Sequence, residues 1–71
     1  MIDLPEVYTD AARLHNRTWG PRCLYERHPN GTITVAASDP DDRNGAQMIN
    51  DYERLLVEVA TEVIINQEEA P

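Results

Sequence analysis

The chain has 71 residues and a formal net charge of −7, which comes from 6 basic and 13 acidic residues. All the basic residues are arginines, and lysine and phenylalanine are absent. This length predicts a single domain, and the single cysteine excludes an internal disulfide. No run of about 18 apolar residues is present, and the N-terminus lacks the layout of a signal peptide. We therefore expect a cytoplasmic protein without membrane contact.

The first predicted element is a helix over about residues 3–17. Asp3 suits the N-cap position, Pro5 suits the first turn, and Glu6 lies where a capping box requires an acidic residue. Apolar residues then recur at steps of three and four, as on one face of a helix: Leu4, Val7, Tyr8, Ala11 and Leu14. Glycine and proline interrupt helices, so Gly20 and Pro21 are expected to end this one.

Residues 22–37 are predicted to form a β-hairpin. The sequence Pro29-Asn30-Gly31 suits a type I turn followed by a left-handed glycine, which gives a three-residue loop with a bulge. This loop pairs His28 with Thr32, so that Cys23 faces Ala37 at the far end of the hairpin. In that register one face carries alternate residues of both strands: Cys23, Tyr25, Ile33, Val35 and Ala37. The turn and the alternation therefore predict the same register independently.

The third predicted element is a long helix over about residues 40–67, followed by a frayed tail at 68–71. Ser38 or Asp39 can cap this helix, and Pro40 fits the first helical position. At about 100° per residue, a large set of apolar side chains falls on one continuous arc: Met48, Ile49, Tyr52, Leu55, Leu56, Val59, Ala60 and Val63.

Gly45 weakens the first turns of the long helix, so that firm helix is expected from near Ala46. The order of elements predicts a small α+β fold of the helix–β-hairpin–helix (αββα) type. A two-stranded sheet is marginal in water by itself, and we expect the long helix to pack on one face of the antiparallel hairpin.

The apolar surface of the long helix exceeds what a two-stranded sheet can cover. Val57 and Ile64 lie beyond the main arc, and a chain of this size without a disulfide commonly depends on oligomerisation. We therefore predict that the helix forms a homodimer or docks on a partner protein through a defined set of residues: Met48, Ile49, Tyr52, Leu56, Val57, Val63 and Ile64. The alternative is a core helix that leaves a few aliphatic side chains exposed.

The charges are distributed unevenly along the chain. A predicted basic patch contains four arginines between residues 13 and 27: Arg13, Arg17, Arg22 and Arg27. On the long helix, four acidic residues project from nearly one line, which we call the acidic stripe: Asp51, Glu58, Glu62 and Glu69. The stripe is either a solvated face or a surface that docks on a basic site of another protein.

No residue pattern predicts catalysis or a bound cofactor. Cys23 is the only thiol, and the predicted register turns it toward the core. His15 and His28 lie in no recognisable metal-binding or catalytic motif. The segment 39–50 departs from an EF-hand calcium loop at three positions. We therefore expect no enzymatic activity, no cofactor, no metal ion and no small-molecule substrate.

The sequence thus predicts a small acidic interaction module, a homodimer that binds a partner protein. Its size is typical of accessory proteins of phages or mobile elements that act on host machinery. One alternative is an acidic inhibitor, of the anti-defence or anti-restriction type, that masks the nucleic-acid-binding site of a host protein. The other is a nucleic-acid-binding accessory protein that uses the arginines of the hairpin. The net charge of −7 disfavours direct binding to nucleic acid, because it repels phosphate.

Overall fold

The computed structural model describes the backbone of residues 3–69 and the side chains of residues 3–66. The elements follow in the order α1 (Leu4–Trp19), a 3-10 turn (Gly20–Arg22), β1 (Cys23–Arg27), β2 (Ile33–Ala37) and α2 (Gly45–Glu69). The predicted α+β helix–hairpin–helix architecture is confirmed. Of the predicted tail, residues 68–69 continue α2, and residues 70–71 lie outside the described part of the chain.

Helix α1 begins at the predicted cap. The Asp3 carboxylate accepts a hydrogen bond from the backbone N–H of Glu6 at 3.3 Å. The helix ends at Trp19, two residues later than predicted, and Gly20 follows it with a φ of 56°. Four side chains at intervals of four residues form its buried face: Val7, Ala11, His15 and Trp19. The helix thus ends directly before the predicted Gly20-Pro21 stop, and burial of the large Trp19 ring stabilises the extra half-turn.

The two strands pair in the predicted register, with Cys23 opposite Ala37 and Arg27 opposite Ile33. Gly31 takes the left-handed conformation that the turn requires, with a φ of 91°. The turn also packs tightly on the start of α1, because a Cβ atom placed on Gly31 would lie 2.6 Å from Cγ of Pro5. Glycine is therefore required here both by the backbone conformation and by the available space.

Helix α2 begins at Gly45, within one residue of the firm helix predicted from near Ala46 and about five residues after the predicted outer bound at residue 40. Asp39 and Asp42 each accept, at 2.9 Å, a hydrogen bond from the backbone N–H two residues further on. Such local turns compete with helix formation for the same backbone donors. The carbonyl of Asn44 accepts a bond from the N–H four residues later at 2.9 Å, so Asn44, rather than Ser38 or Asp39, precedes the helix.

The two helices and one face of the hairpin enclose a single core. Its buried apolar residues come from every element except the 3-10 turn: Val7, Ala11, Trp19, Cys23, Ile33, Val35, Met48, Tyr52 and Val59. The molecule measures 49 × 23 × 16 Å. Helix α2 accounts for most of this length, since 25 residues at about 1.5 Å each span about 37 Å. Among the residues that the structure describes, no helix combines the length and apolar character needed to cross a bilayer.

The Gly31 turn yields a first prediction. We expect Gly31→Ala to lower the free energy of unfolding by about 2–3 kcal/mol, because the alanine meets both a left-handed φ and the Pro5 ring. In a Pro5→Ala background the same change should cost about 1 kcal/mol less, since the clash with Cγ is gone. Urea denaturation of the four proteins of this cycle measures the difference. Equal costs in the two backgrounds would show that the turn does not press on α1.

Candidate protein-interaction surface

A buried histidine at the centre of the core joins three elements. His15 of α1 is fully buried, and its Nε2 lies 2.8 Å from the carbonyl oxygen of Met48 on α2. Its Nδ1 lies 2.7 Å from the hydroxyl of Tyr25 on β1. A carbonyl can only accept, which assigns the ring proton of the neutral imidazole to Nε2, and the Tyr25 hydroxyl then donates to Nδ1.

Aromatic rings enclose His15 on three sides. Trp19 stacks on it with the ring centroids 6.1 Å apart, and Tyr25 and Tyr52 meet it edge-on at 5.7 and 5.5 Å. Among the described side chains, no buried nitrogen or oxygen atom lacks a hydrogen-bond partner. We call these four residues the His15 hub: His15, Trp19, Tyr25 and Tyr52. Both ring nitrogens of His15 are occupied and sealed from solvent, which gives the imidazole a structural role.

Two tyrosine hydroxyls of the hub remain protonated well into the alkaline range. Burial raises the pKa of Tyr52 to about 12. Burial is also the largest cause of the rise in the pKa of Tyr25, and the neighbouring Cys23 and Tyr52 side chains add to it. The Tyr25 hydroxyl is therefore available as a donor to His15 at neutral pH.

Arg22, of the predicted basic patch, is bound within the chain. Its Nη2 lies 2.8 Å from Oδ1 of Asp42, and its Nε donates to Oδ2 at 3.1 Å. The hydrogen bond from Arg22 lowers the pKa of Asp42. The guanidinium carbon also lies 5.3 Å from the centre of the Trp19 ring. Arg22 thus connects the loop before α2, through Asp42, with the end of α1, through Trp19.

Two further arginines of the patch, Arg27 and Arg13, also contact groups of the same chain. Arg27 donates to the hydroxyl of Thr9, and to the carbonyl of Gly31 at 3.3 Å. Arg13 lies 3.9 Å from the Asp10 carboxylate. Arg17 lines, with residues of both helices, a shallow depression of about 250 Å³: Asp10, Arg13, Leu14, Val59 and Glu62. Arg22 and Arg27 therefore join separate elements of the fold, whereas Arg13 makes only an exposed pair within α1.

The acidic stripe is interrupted by internal partners. Asp51 accepts a hydrogen bond from the Trp19 indole at 3.2 Å and lies 3.7 Å from Nη2 of Arg54. The same arginine lies 4.0 Å from Glu58, and Glu62 is exposed. The side chain of Glu69 lies outside the described residues.

The structure divides the predicted interface residues of α2 into distinct groups. Met48 and Tyr52 are buried in the core of the single chain and leave no surface for a second one. Leu56 and Val63 are half-buried against that core. Three residues are exposed, by 40% for Ile49, 66% for Val57 and 42% for Ile64. Val57 and Ile64, seven residues apart, form what we call the outer face of α2.

An apolar groove of about 290 Å³ runs between α2 and the hairpin. Its lining comes from three elements: Tyr8, Ile33, Thr34, Val35, Ile49, Tyr52, Glu53 and Leu56. Glu53 is the one charged residue among them and was not singled out from the sequence. Its position four residues after Ile49 and four before Val57 is the signal that could have placed it on this side of the helix.

No protein-family model, curated protein sequence or solved structure matches this chain. Within the described side chains, no three His, Cys, Asp or Glu residues lie close enough together to hold a metal ion. The function therefore has to be inferred from the surfaces just described.

The His15 hub yields a second prediction. We expect His15→Ala to lower the free energy of unfolding by about 3 kcal/mol or more, because it leaves a cavity and two unpaired groups. A chain of this size has about 3–5 kcal/mol in total, so the variant should be largely unfolded by circular dichroism. Tyr25→Phe removes only the donor to Nδ1 and should cost about 1–2 kcal/mol. His28→Ala is the control, and because His28 bonds only to the Thr34 hydroxyl near the surface, it should cost no more than about 1 kcal/mol. Similar losses at both histidines would contradict the hub.

The tyrosines yield a third prediction, for alkaline pH. An unfolded tyrosine ionises near pH 10, whereas the pKa of folded Tyr52 is about 12. The stabilisation from the protonated hydroxyl is therefore complete below about pH 10 and is lost as the pH rises towards 12. Urea denaturation between pH 8 and 12 should show this fall, and tyrosinate absorbance should rise together with unfolding. Constant stability up to pH 12 would contradict the burial of these hydroxyls.

Proposed function

We propose that this chain is a small non-enzymatic protein-interaction module of the cytoplasm, which forms a homodimer through α2 and binds a partner protein. The observation that carries the proposal is the outer face of α2, where Val57 is 66% and Ile64 42% exposed. Single exposed aliphatic residues are common on protein surfaces. Here the two lie on one side of a helix at a spacing of seven, which suits contact between helices.

The small size of the chain supports the proposal that a second copy of it binds to the outer face. Among the described side chains nine apolar residues are buried in the core, the single cysteine forms no internal disulfide, and chains of this length commonly gain stability through oligomerisation. The half-buried Ala60 lies beside Val57 and Ile64 at helical spacing and allows another helix to approach closely. A symmetric pair of α2 helices would cover the outer face of both copies.

The two alternative functions have less support. A nucleic-acid-binding protein needs available arginines, whereas Arg22 and Arg27 are bonded to groups of their own chain. An acidic inhibitor needs a continuous row of carboxylates, whereas Arg54 lies between Asp51 and Glu58. A phage or mobile-element origin stays a prediction from size and composition alone.

The homodimer is tested by a matched pair of substitutions. Ile64 and Ile65 are adjacent and similarly exposed, by 42% and 47%, but point about 100° apart around α2. Ile64→Glu should weaken dimerisation at least about tenfold, because it buries a charge in the interface. Ile65→Glu carries the same change outside the interface and should leave the dimer intact. Both variants should retain the helix content of the parent chain.

Size-exclusion chromatography with light scattering, run over a range of protein concentrations, measures the dimer. The expected mass is twice that of the 8.1 kDa chain for the parent protein and for Ile65→Glu. A monomer at every concentration would overturn the homodimer. If neither substitution weakens the dimer, or if both weaken it equally, the dimer does not depend specifically on the outer face of α2, and this interface would be wrong.

A further inference from the structure

We infer that the outer edge of β2, with which no described residue pairs, and the apolar groove beside it form a binding site for an extended basic segment of a partner protein, which adds to the sheet as a third strand. This site lies between the hairpin and α2 and adjoins the outer face used in the proposed homodimer, since Glu53 of its lining lies four residues before Val57. It therefore assigns to the chain a second surface and specifies the chemistry of the partner.

The hydrogen-bond pattern of the hairpin identifies the free backbone groups. The pairs at its two ends are bonded, with His28 N–H donating to Thr32 and Ser38 N–H donating to Arg22, both at 2.9 Å. In an antiparallel ladder bonded and non-bonded pairs alternate, so Thr34 and Ala36 bond to β1. The N–H and C=O groups of three residues consequently point away from β1, along the outer edge of β2: Ile33, Val35 and Ala37.

The groove follows this edge. It is lined by three consecutive residues of β2, namely Ile33, Thr34 and Val35. Successive side chains of a strand point to opposite faces of the sheet, so a cavity that contacts all three runs along the edge rather than over one face. A third strand placed there would pair with the free backbone groups and lie against the side of α2.

The side chains of the groove specify what such a strand carries. Tyr8, Ile49 and Leu56 provide apolar walls beside the edge, which suits a large apolar side chain of the partner. Glu53 is exposed and is the only charged residue of the lining. An arginine or lysine of the partner can reach it, and the net charge of −7 favours the approach of a basic segment.

The partner chemistry is tested with a library of random peptides, selected for binding to the full chain. The enriched peptides should contain apolar residues alternating with arginine or lysine. Glu53→Arg should weaken their binding at least tenfold, because it places a like charge in the groove. Glu58→Arg makes the same charge change on another side of α2 and should alter binding by less than about twofold. No enrichment of basic peptides, or equal losses for the two variants, would overturn the inference.

The strand geometry is tested separately by amide hydrogen exchange. In the free protein the amides of Thr34 and Ala36, which bond to β1, should exchange more slowly than those of Val35 and Ala37. Addition of a selected peptide should protect Val35 and Ala37 and leave the other two unchanged. Unchanged exchange at Val35 and Ala37 would overturn the inference. If these two amides become protected at higher protein concentration without any peptide, a second copy of the chain occupies the edge. That result would also overturn the inference.

Discussion

The arrangement of the whole chain depends on the two hydrogen bonds of His15. Its imidazole joins α1 to the backbone of α2 on one side and to β1 on the other. A buried ring nitrogen that loses its hydrogen-bond partner is costly. Both bonds therefore form only when α1 has one particular rotation about its axis and one particular distance from α2 and β1. A small apolar core alone would tolerate several packings. The hub therefore fixes how the hairpin lies against α2, and with it the width of the groove beside β2.

The sequence was most informative where structure is determined locally. The Pro29-Asn30-Gly31 turn and the alternation of apolar residues specify the hairpin register without any knowledge of the core. The outer bound of α2 near residue 40 was too early for a related reason, whereas firm helix from near Ala46 was predicted correctly. The carboxylates of Asp39 and Asp42 accept backbone N–H groups, and such bonds can stabilise either the start of a helix or an isolated turn. The local sequence therefore does not decide between these two structures.

The candidate site was only partly predictable. Helical periodicity places Met48 and Val57 on opposite sides of α2, but it does not show which side the rest of the chain covers, so one interface was predicted to include both buried Met48 and exposed Val57. Glu53 was not singled out from the sequence, because only the folded structure places it in the groove beside β2. The contacts of Arg22 and His15 join residues far apart in the chain, and no local pattern encodes them.

The fluorescence of Trp19 can report on the packing of the whole chain. The only tryptophan of the chain donates to Asp51 of α2, stacks on His15 and lies under the guanidinium of Arg22. Its indole is thus in contact with both helices and with the segment that leads into the hairpin. Indole emission depends on nearby charge and on exposure to water, so its wavelength records whether these parts are assembled. Far-ultraviolet dichroism follows helix content, and the two signals together distinguish loss of packing from loss of helix.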